Sequence, residues 1–476
     1  MKIQNTTVKC LASNAEKSEV RAKRRLRSWF RAGGPADKHT PIKWLGGTVR
    51  LVFAIFILAG LATSTFAQEI FIPDLGLDAA VRDALRKPTG PLTQQDLLSL
   101  TFLNANGRSI TNVAGLESAR NLTALEFLNN RIRGFSLPSG LTNLVFLDLS
   151  ANPLTNCSLS SGLTHLDTLF IEGTSLTNLT LPAGLTALTQ LDLVASRLTS
   201  LAVPGDMANL VSLNLAFNQL TNLTLPAGLK RLASLDLDFN RLQSLILPAG
   251  LTNLVSLFAS GNQLTRLTFP ADMTNLSFVG LSENQLASLS MPAPLPKLNF
   301  LQLTTNKLTS LVLPPGMTNL GAIFLGGNQL TNLVLAPDLI HLLQLDLRGN
   351  RLTSLTLPPD MAQLNALFLD GNPLTTLIVS ETLAATNLAP VLTTLRNKGV
   401  SVFTYPLAVQ LSAPRLTATA RFEFTLSGPP GIYTVLASSN LVAWSELGRI
   451  TNDFGSATFT DTNTSLLQQK FYRAQR

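Results

Sequence analysis

A block of 22 residues recurs twelve times without slippage between Ala119 and Thr382. One copy runs Leu229, Leu232, Leu235-x-Leu237-x-x-Asn240-x-Leu242-x-x-Leu245-x-Leu247-Pro248-x-Gly250, and the next begins at Leu251. A unit this short cannot bury its own apolar residues, so the copies must stack into a solenoid with one shared core. Such arrays present a long surface and seldom house chemistry of their own. The first expectation is therefore binding, without catalysis.

Each copy divides into three pieces. Leu235-Asp236-Leu237 alternates with period two and predicts a short strand, which pairs in parallel with its copies about 4.8 Å away. Twelve such strands make an arc of roughly 53 Å. Leu245 and Leu247 form a second i, i+2 pair, so a second extended segment is expected on the opposite side. Pro248-Ala249-Gly250 turns the chain, Pro fixing φ and Gly accepting positive φ. Leu251-Thr252-Asn253-Leu254 then supplies one helical turn, and crossovers of this kind are right-handed.

The pattern L-x-x-L-x-L-x-x-N-x-L, here Leu232…Leu235-x-Leu237-x-x-Asn240-x-Leu242, resembles that of leucine-rich repeat proteins. It is most similar to the 22-residue bacterial class that includes the internalins, over about residues 90–403. The resemblance implies a right-handed leucine-rich repeat solenoid with a curved parallel β-sheet on its concave face. Its convex side would be made of short extended segments and helical turns. The Leu-Pro-x-Gly/Asp segment departs from the internalin convex pattern, so the host-cell partners of internalins are not carried over.

The asparagine column comprises Asn130, Asn152, Asn218, Asn240, Asn262, Asn284, Asn306, Asn328, Asn350 and Asn372. Facing inward, these amides can satisfy backbone groups that the short strands leave unpaired. Thr174 and Ser196 replace asparagine in two consecutive copies. A hydroxyl does only part of that work, so a slight local irregularity is expected there.

Residues 1–67 read as a leader containing a signal peptide. Leu51 to Ala62 is apolar but short of the ~20 residues that span a bilayer, and Thr65-Phe66-Ala67 offers small residues for cleavage. The leader also dissolves the apparent basicity of the chain. It holds 12 Lys+Arg and 3 Asp+Glu, a balance of +9 against +8 for the whole sequence, leaving −1 for residues 68–476. No Lys/Arg cluster stands outside the leader, which excludes nucleic acid as a partner. With Cys10 in the leader, Cys157 is the lone cysteine of the exported part and forms no internal disulfide. It occupies the inward position of Leu179, Leu201 and Leu223, as a small buried hydrophobe. The expected product is exported, extracellular or associated with the cell envelope, and has no transmembrane segment.

Residues 68–118 read as a helical amino-terminal cap with an irregular first repeat. Asp78 to Leu85 carries helical apolar spacing, and Leu92 to Leu98 suggests a second short helix. Residues 383–403 close the array with a helix over Leu388–Arg396 and a last strand over Val400–Phe403. Tyr405-Pro406 is expected to open a linker, so that residues 404–476 form a linker and a small all-β domain. Phe422-Glu423-Phe424, Ile432 to Leu436, Trp444, Ala457 to Phe459 and Lys470 to Arg473 predict about five strands of a small β-sandwich. Tyr433, Val435, Ser438, Leu441, Trp444 and Phe471-Tyr472-Arg473 resemble a terminal module of secreted proteins from some environmental bacteria. That resemblance implies attachment, export or spacing.

An inventory of reactive groups argues against an enzyme. His165 and His341 both take the third position of the Leu-x-x-Leu turn, eight copies apart on the outer face, and cannot share a metal or a nucleophile. No phosphate loop, zinc spacing or nucleophile constellation is present, and no cofactor or metal is expected. The informative residues point out of the concave strands. Their central column includes Glu126, Asp148, Phe170, Asp192, Asp236, Phe258, Phe324, Asp346 and Phe368, acids dominating the first half and phenylalanines the second. Asp148, Asp192 and Asp236 fall on alternate copies, about 10 Å apart, so the column is tolerable without a cation.

Phe278 and Phe300 flank this column on one side, and Phe217 and Phe239 on the other. Phe258 and Phe324 are expected to be exposed, while Phe217 and Phe239 are expected to fold under the next turn as a spine. A contiguous apolar patch of this size marks an interaction surface. All three tyrosines and Trp444 lie outside the repeats, so the face lacks the aromatic residues with hydrogen-bonding edges that favour glycans. A protein or peptide ligand is expected, bound by a secreted or surface-associated scaffold. The rival reading is a structural spacer or envelope protein whose C-terminal β-domain does the attaching.

Overall fold

The computed structural model describes residues 69–476 apart from 292–293, 387, 420 and 463–468. The expected leader, with Cys10, lies outside the described residues. Thirteen three-residue strands, from Phe102–Asn104 to Ala366–Phe368, form one parallel sheet in which neighbours in space follow chain order. The register advances by one whole repeat each time, as in Ser234↔Ser256 and Ser256↔Phe278. A constant period of 22 stacks each position on its own copy, so one inward leucine column becomes one continuous core.

Strand phase sorts the side chains. In Ser256–Phe258 the middle Leu257 is fully buried while Ser256 and Phe258 face outward. Leu229, Leu232, Leu235, Leu237 and Leu242 are all sealed from solvent, with Leu245 and Leu247 nearly so. Each buried leucine contributes about 1.5–3 kcal/mol relative to an exposed one.

Between the leucines runs the asparagine ladder. Asn240 Nδ2 donates to the carbonyls of Leu215 (2.9 Å) and Leu237 (3.1 Å), and its Oδ1 accepts from the backbone N–H of Leu220 at 3.0 Å. One side chain thus satisfies groups on two turns that the three-residue strands cannot reach. Where Thr174 and Ser196 interrupt the column, their hydroxyls lie 2.7 Å apart and Ser196 Oγ donates to the Ile171 carbonyl. The expected irregularity is absent from the sheet, because Thr168↔Gln190 to Phe170↔Asp192 keep their register.

The second extended segment exists as an interrupted ribbon. It pairs as short parallel strands at Gly134–Ser136 with Asn156–Ser158, at Arg266–Thr268 with Ser288–Ser290, and at Ser354–Thr356 with Thr376–Ser380. Elsewhere it thins to single bridges such as Thr180↔Ala202 and Val312↔Val334. The turn after it explains why Asp alternates with Gly. Gly184 and Gly250 have positive φ, and their backbone N–H groups donate to Asp206 and Asp272 of the following turn, each at 2.7 Å. Asp338 accepts from Gly316 in the same way.

Both ends of the array are closed. Helix α1 (Leu75–Leu85) is capped by Asp74, whose second carboxylate oxygen accepts from Thr111 and Asn112 of the first repeat. Helix α2 (Gln94–Leu98) starts with a capping box between Thr93 and Asp96. At the other end α3 (Glu381–Ala384) and α4 (Ala389–Asn397) precede the strand Ser401–Tyr405, which extends the ribbon beside Thr376–Ser380. Tyr405 ends this strand and does not open a linker. It is fully buried, and its hydroxyl donates to the Leu357 carbonyl at 2.7 Å.

The C-terminal all-β domain consists of two three-stranded antiparallel sheets. One holds Gln410–Leu416, Phe422–Ser427 and Ser456–Asp461, and the other holds Ser445–Asn452, Gly431–Ser438 and Phe471–Gln475. It packs directly on the end of the solenoid, with the Phe403 and Phe454 rings 4.9 Å apart. Gly455 lies so close to the strand end that an added Cβ would sit 2.8 Å from Tyr405 Cβ.

Candidate functional site

The open face of the 13-stranded sheet carries the sequence-derived candidates. Glu126, Asp148, Phe170, Asp192, Asp236, Phe258, Phe324 and Phe368 are half-buried on its outward side, as are Phe278 and Phe300 one column over. The structure brings four of the phenylalanines together. Ring centroids run Phe258 to Phe278 at 4.7 Å, Phe278 to Phe300 at 5.9 Å, and Phe300 to Phe324 at 6.1 Å. The first pair is tilted and the other two are stacked. Gly280 makes room: a Cβ there would lie 3.1 Å from the Phe278 ring and 3.6 Å from that of Phe258.

The other candidates stand apart from this row. Phe170 meets Phe146 edge-on at 5.7 Å. Phe368 lies under the Arg348 guanidinium, 5.1 Å from ring centroid to Cζ. Glu126 accepts from the amides of Asn104 and Asn106, both at 2.8 Å. Asp148 accepts from the backbone N–H of Ser150. These contacts tie the two acids to the amino-terminal end of the face.

Phe217 and Phe239 overturn the expectation of a buried spine. They are 55% and 45% exposed, with rings stacked at 4.7 Å. The cause is backbone conformation: both have left-handed φ, 56° and 53°, at a position where Gly173, Gly261, Gly327, Gly349 and Gly371 stand in other copies. Left-handed backbone throws the side chain away from the core. It costs a non-glycine residue roughly 1–3 kcal/mol, which the glycine copies do not bear. A Cβ on Gly261 would lie 2.6 Å from the Phe239 ring, so that ring covers the glycine of the next turn.

Between the exposed pair and the phenylalanine row lies an acidic centre. Phe258 pairs in register with Asp236, and Asp238 follows on the same turn. Burial, then the neighbouring Asp236 charge, pushes Asp238 up to about 7, although it accepts from the Ser260 backbone N–H at 2.6 Å. Burial also raises Asp192 and Asp236. Asp192 accepts from the Asn214 amide at 3.0 Å. Among the described residues no lysine or arginine pairs with any of the three. Asp346, by contrast, is buried and held by Arg348, its Oδ1 3.0 Å from Nε.

Asp238, Arg348, Phe217 and Phe239 are members of the face that strand periodicity alone does not pick out. They follow the strand, where side-chain direction depends on φ instead of alternation. The recurrence of glycine beside Phe217 and Phe239 is the signal that could have found them.

Reactive groups are placed away from this face, and Cys157, expected to be buried, is only partly so because it sits on the ribbon strand Asn156–Ser158. Cys157 packs against the core, and burial raises its thiol to about 12. His165 and His341 are exposed, next to Thr164 and Gln363. Among the described residues no group of three His, Cys, Asp or Glu is placed to hold a metal ion. Nor is any described helix long and apolar enough to cross a membrane.

In the C-terminal domain the residues of the terminal motif build the domain itself. Tyr433 is buried and donates to the Pro429 carbonyl, while Ser438 Oγ accepts from Asn440 and Leu441. Trp444 donates to the Leu441 carbonyl and lies under Arg473, and Tyr472 stacks on Phe422.

Comparison with known proteins accords with this architecture. A model of the BspA type leucine-rich repeat region matches residues 102–192 and 193–304. No curated protein matches the sequence. Solved structures of similar form include the functional domain of InlJ from Listeria monocytogenes, 20% identical over 75% of this chain and 94% of that one, with a TM-score of 0.49. The internalin InlF of Listeria monocytogenes is 22% identical over 70% and 95%, with a TM-score of 0.43. YopM from Yersinia pestis is 25% identical over 54% and 69%, with a TM-score of 0.44. The repeat pattern, the parallel solenoid and the repeat model matched over residues 102–304 show a leucine-rich repeat fold.

Proposed function

We propose that the protein is an exported binding scaffold, without catalysis of its own, that recognises a protein or peptide through the concave face. Residues 1–67 serve as its export leader, and it works outside the cell or on the envelope. The observation that carries this reading is the row Phe258, Phe278, Phe300 and Phe324, kept on the open side of the sheet where a serine or glutamine would keep the strand equally well. Burying such a row against a partner would release about 25 cal/mol for each Å² of apolar surface.

The test is affinity capture from native envelope and culture medium, using the full chain and a Phe258→Ser, Phe278→Ser, Phe324→Ser variant. Circular dichroism confirms that both fold. A species held only by the unaltered chain supports the reading, and equal capture by both removes it.

A second reading gives the attaching role to the C-terminal domain, with the repeats as spacer. It draws on Leu441 and Val442, 57% and 84% exposed on the turn after Ser438. A Leu441→Ser, Val442→Ser variant that loses capture while the phenylalanine variant keeps it would favour this alternative.

A further inference from the structure

The strand positions of the open face are one-sided in charge. They carry Glu126, Asp148, Asp192, Asp236 and Asp346, with no lysine or arginine. In the column just after the strands, the one base is Arg348, and Asp346 already holds it. Among the described residues, Asp192, Asp236 and Asp238 therefore have no lysine or arginine partner at the middle of the face. They have paid part of their desolvation in the fold, and a cation brought beside them meets a low local dielectric. Phenylalanine rings in contact lie on both sides, the stacked Phe217 and Phe239 one way and the tilted Phe258 and Phe278 the other. A lysine or arginine reaching Asp236 and Asp238 would lay its methylene stem or guanidinium against those rings.

We infer that the occupant of this face is a protein segment both basic and apolar, its cationic side chain held at Asp236 and Asp238 and its apolar side chains on the Phe258–Phe324 row. The inference rests on the concave-face reading above and supplies the partner's chemistry. The two subsites set the spacing. Asp236 and Phe324 lie four strands apart, about 19 Å along the sheet. An extended chain rises about 3.3 Å per residue, so the basic residue and the last apolar one are separated by about six residues. An acidic segment is repelled at the centre, and a purely apolar one leaves the three carboxylates buried without a counter-charge.

Selection of displayed random 12-residue peptides on the full chain tests this, with a Phe258→Ser, Phe300→Ser, Phe324→Ser variant and an Asp236→Asn, Asp238→Asn variant in parallel. Circular dichroism monitors folding of each. The expected result is enrichment of peptides with Lys or Arg about six residues from a large apolar side chain. A synthetic peptide of the enriched sequence should bind the asparagine variant at least tenfold more weakly, and bind the unaltered chain more weakly as salt is raised. Enriched peptides that are neutral or acidic but still need the phenylalanines would overturn the basic occupant and leave the concave-face reading standing. Peptides bound equally by the phenylalanine variant would overturn that reading itself. No enrichment above a scrambled control overturns the inference, and a neutral or acidic partner captured from the envelope would identify the true class.

Discussion

The two sides of the solenoid are built from one repeat and yet differ in kind. On the concave side the strands pair without a break over thirteen turns, and the outward residues change from acid to phenylalanine to serine. On the convex side the ribbon is interrupted, and its outward columns (Gly134 and Ser136 and their copies) hold short neutral residues, with Arg266 as the single charge. Apolar exposure differs as well. On the ribbon the exposed apolar residues are a lone Ile246 and the bridged pair Val312 and Val334, whereas the concave phenylalanines Phe258, Phe278, Phe300 and Phe324 touch in a row of four. Isolated exposed apolar residues are ordinary, and contiguous ones are not. Stability is thus stored in the inward columns that both sides share, leaving the concave outward columns free to carry a message.

Backbone strain sharpens the contrast. The convex turns give positive φ to glycines, Gly184, Gly250 and Gly316. The concave edge gives it to Phe217, Phe239, Glu283 and Thr305 as well. Side chains tolerated at a strained position in some copies, and dispensed with as glycine in others, are poor candidates for a purely structural role.

Substitutions can break this comparison, and their expected effects fall in a definite order. Leu257→Ala removes an inward residue common to both sides and should cost about 3 kcal/mol, read as a lowered denaturant midpoint. A loss under 1 kcal/mol would mean that the turns do not share a continuous core. Gly261→Ala meets both left-handed backbone and the Phe239 ring, and should cost about 2–3 kcal/mol. In a Phe239→Ala background the cost should shrink to the backbone part, about 1 kcal/mol. That is also the value expected for Gly184→Ala on the convex side, where nothing lies within 4 Å of the added Cβ.

Asp238→Asn tests the acidic centre through pH. Burial first, and Asp236 second, hold the Asp238 carboxyl near 7 against an ordinary 3.8. The groups around it are Asp236 on its own turn and Ser260 on the next, which donates from its backbone N–H and its hydroxyl. Because its pKa is raised in the folded state, Asp238 favours folding below about pH 4, and that contribution is lost as pH rises through 7. The asparagine variant should therefore be more stable than the parent at pH 8, by roughly 1–2 kcal/mol after solvent screening, and not at pH 4. Thermal unfolding at the two pH values measures it, and a gain that is the same at both would remove the strained carboxylate. Smallest of all, Ile246→Ser should change the midpoint by less than about 0.5 kcal/mol, since its side chain is already 77% exposed. A large loss would mean that the ribbon contributes as a packed face.

Legibility followed periodicity. Leu235, Leu237 and Asn240 could be placed from spacing alone, because a 22-residue period leaves each inward residue one environment. Phe258 and Phe324 were legible for the same reason, strand alternation fixing their side. Phe217 and Phe239 were not, since their direction depends on a φ that alternation does not encode. Tyr405 read as the start of a linker because Pro406 follows it, and only the ribbon's last pairing shows that it ends the array. In the C-terminal domain the residues of the motif were visible, yet their work in closing the turn from Ser438 to Trp444 was not.

By itself the sequence determined the repeat, the inward columns, the asparagine ladder and the outward phase of the strands, since each follows from a period and a preference for burial. Only the tertiary structure decided which outward side chains meet. Ring contact and the burial that raises Asp192, Asp236 and Asp238 arise between neighbouring turns, and the exposure of Phe217 and Phe239 follows from a left-handed φ at each. Their energies depend on distance and local dielectric, quantities that exist only once the turns are stacked.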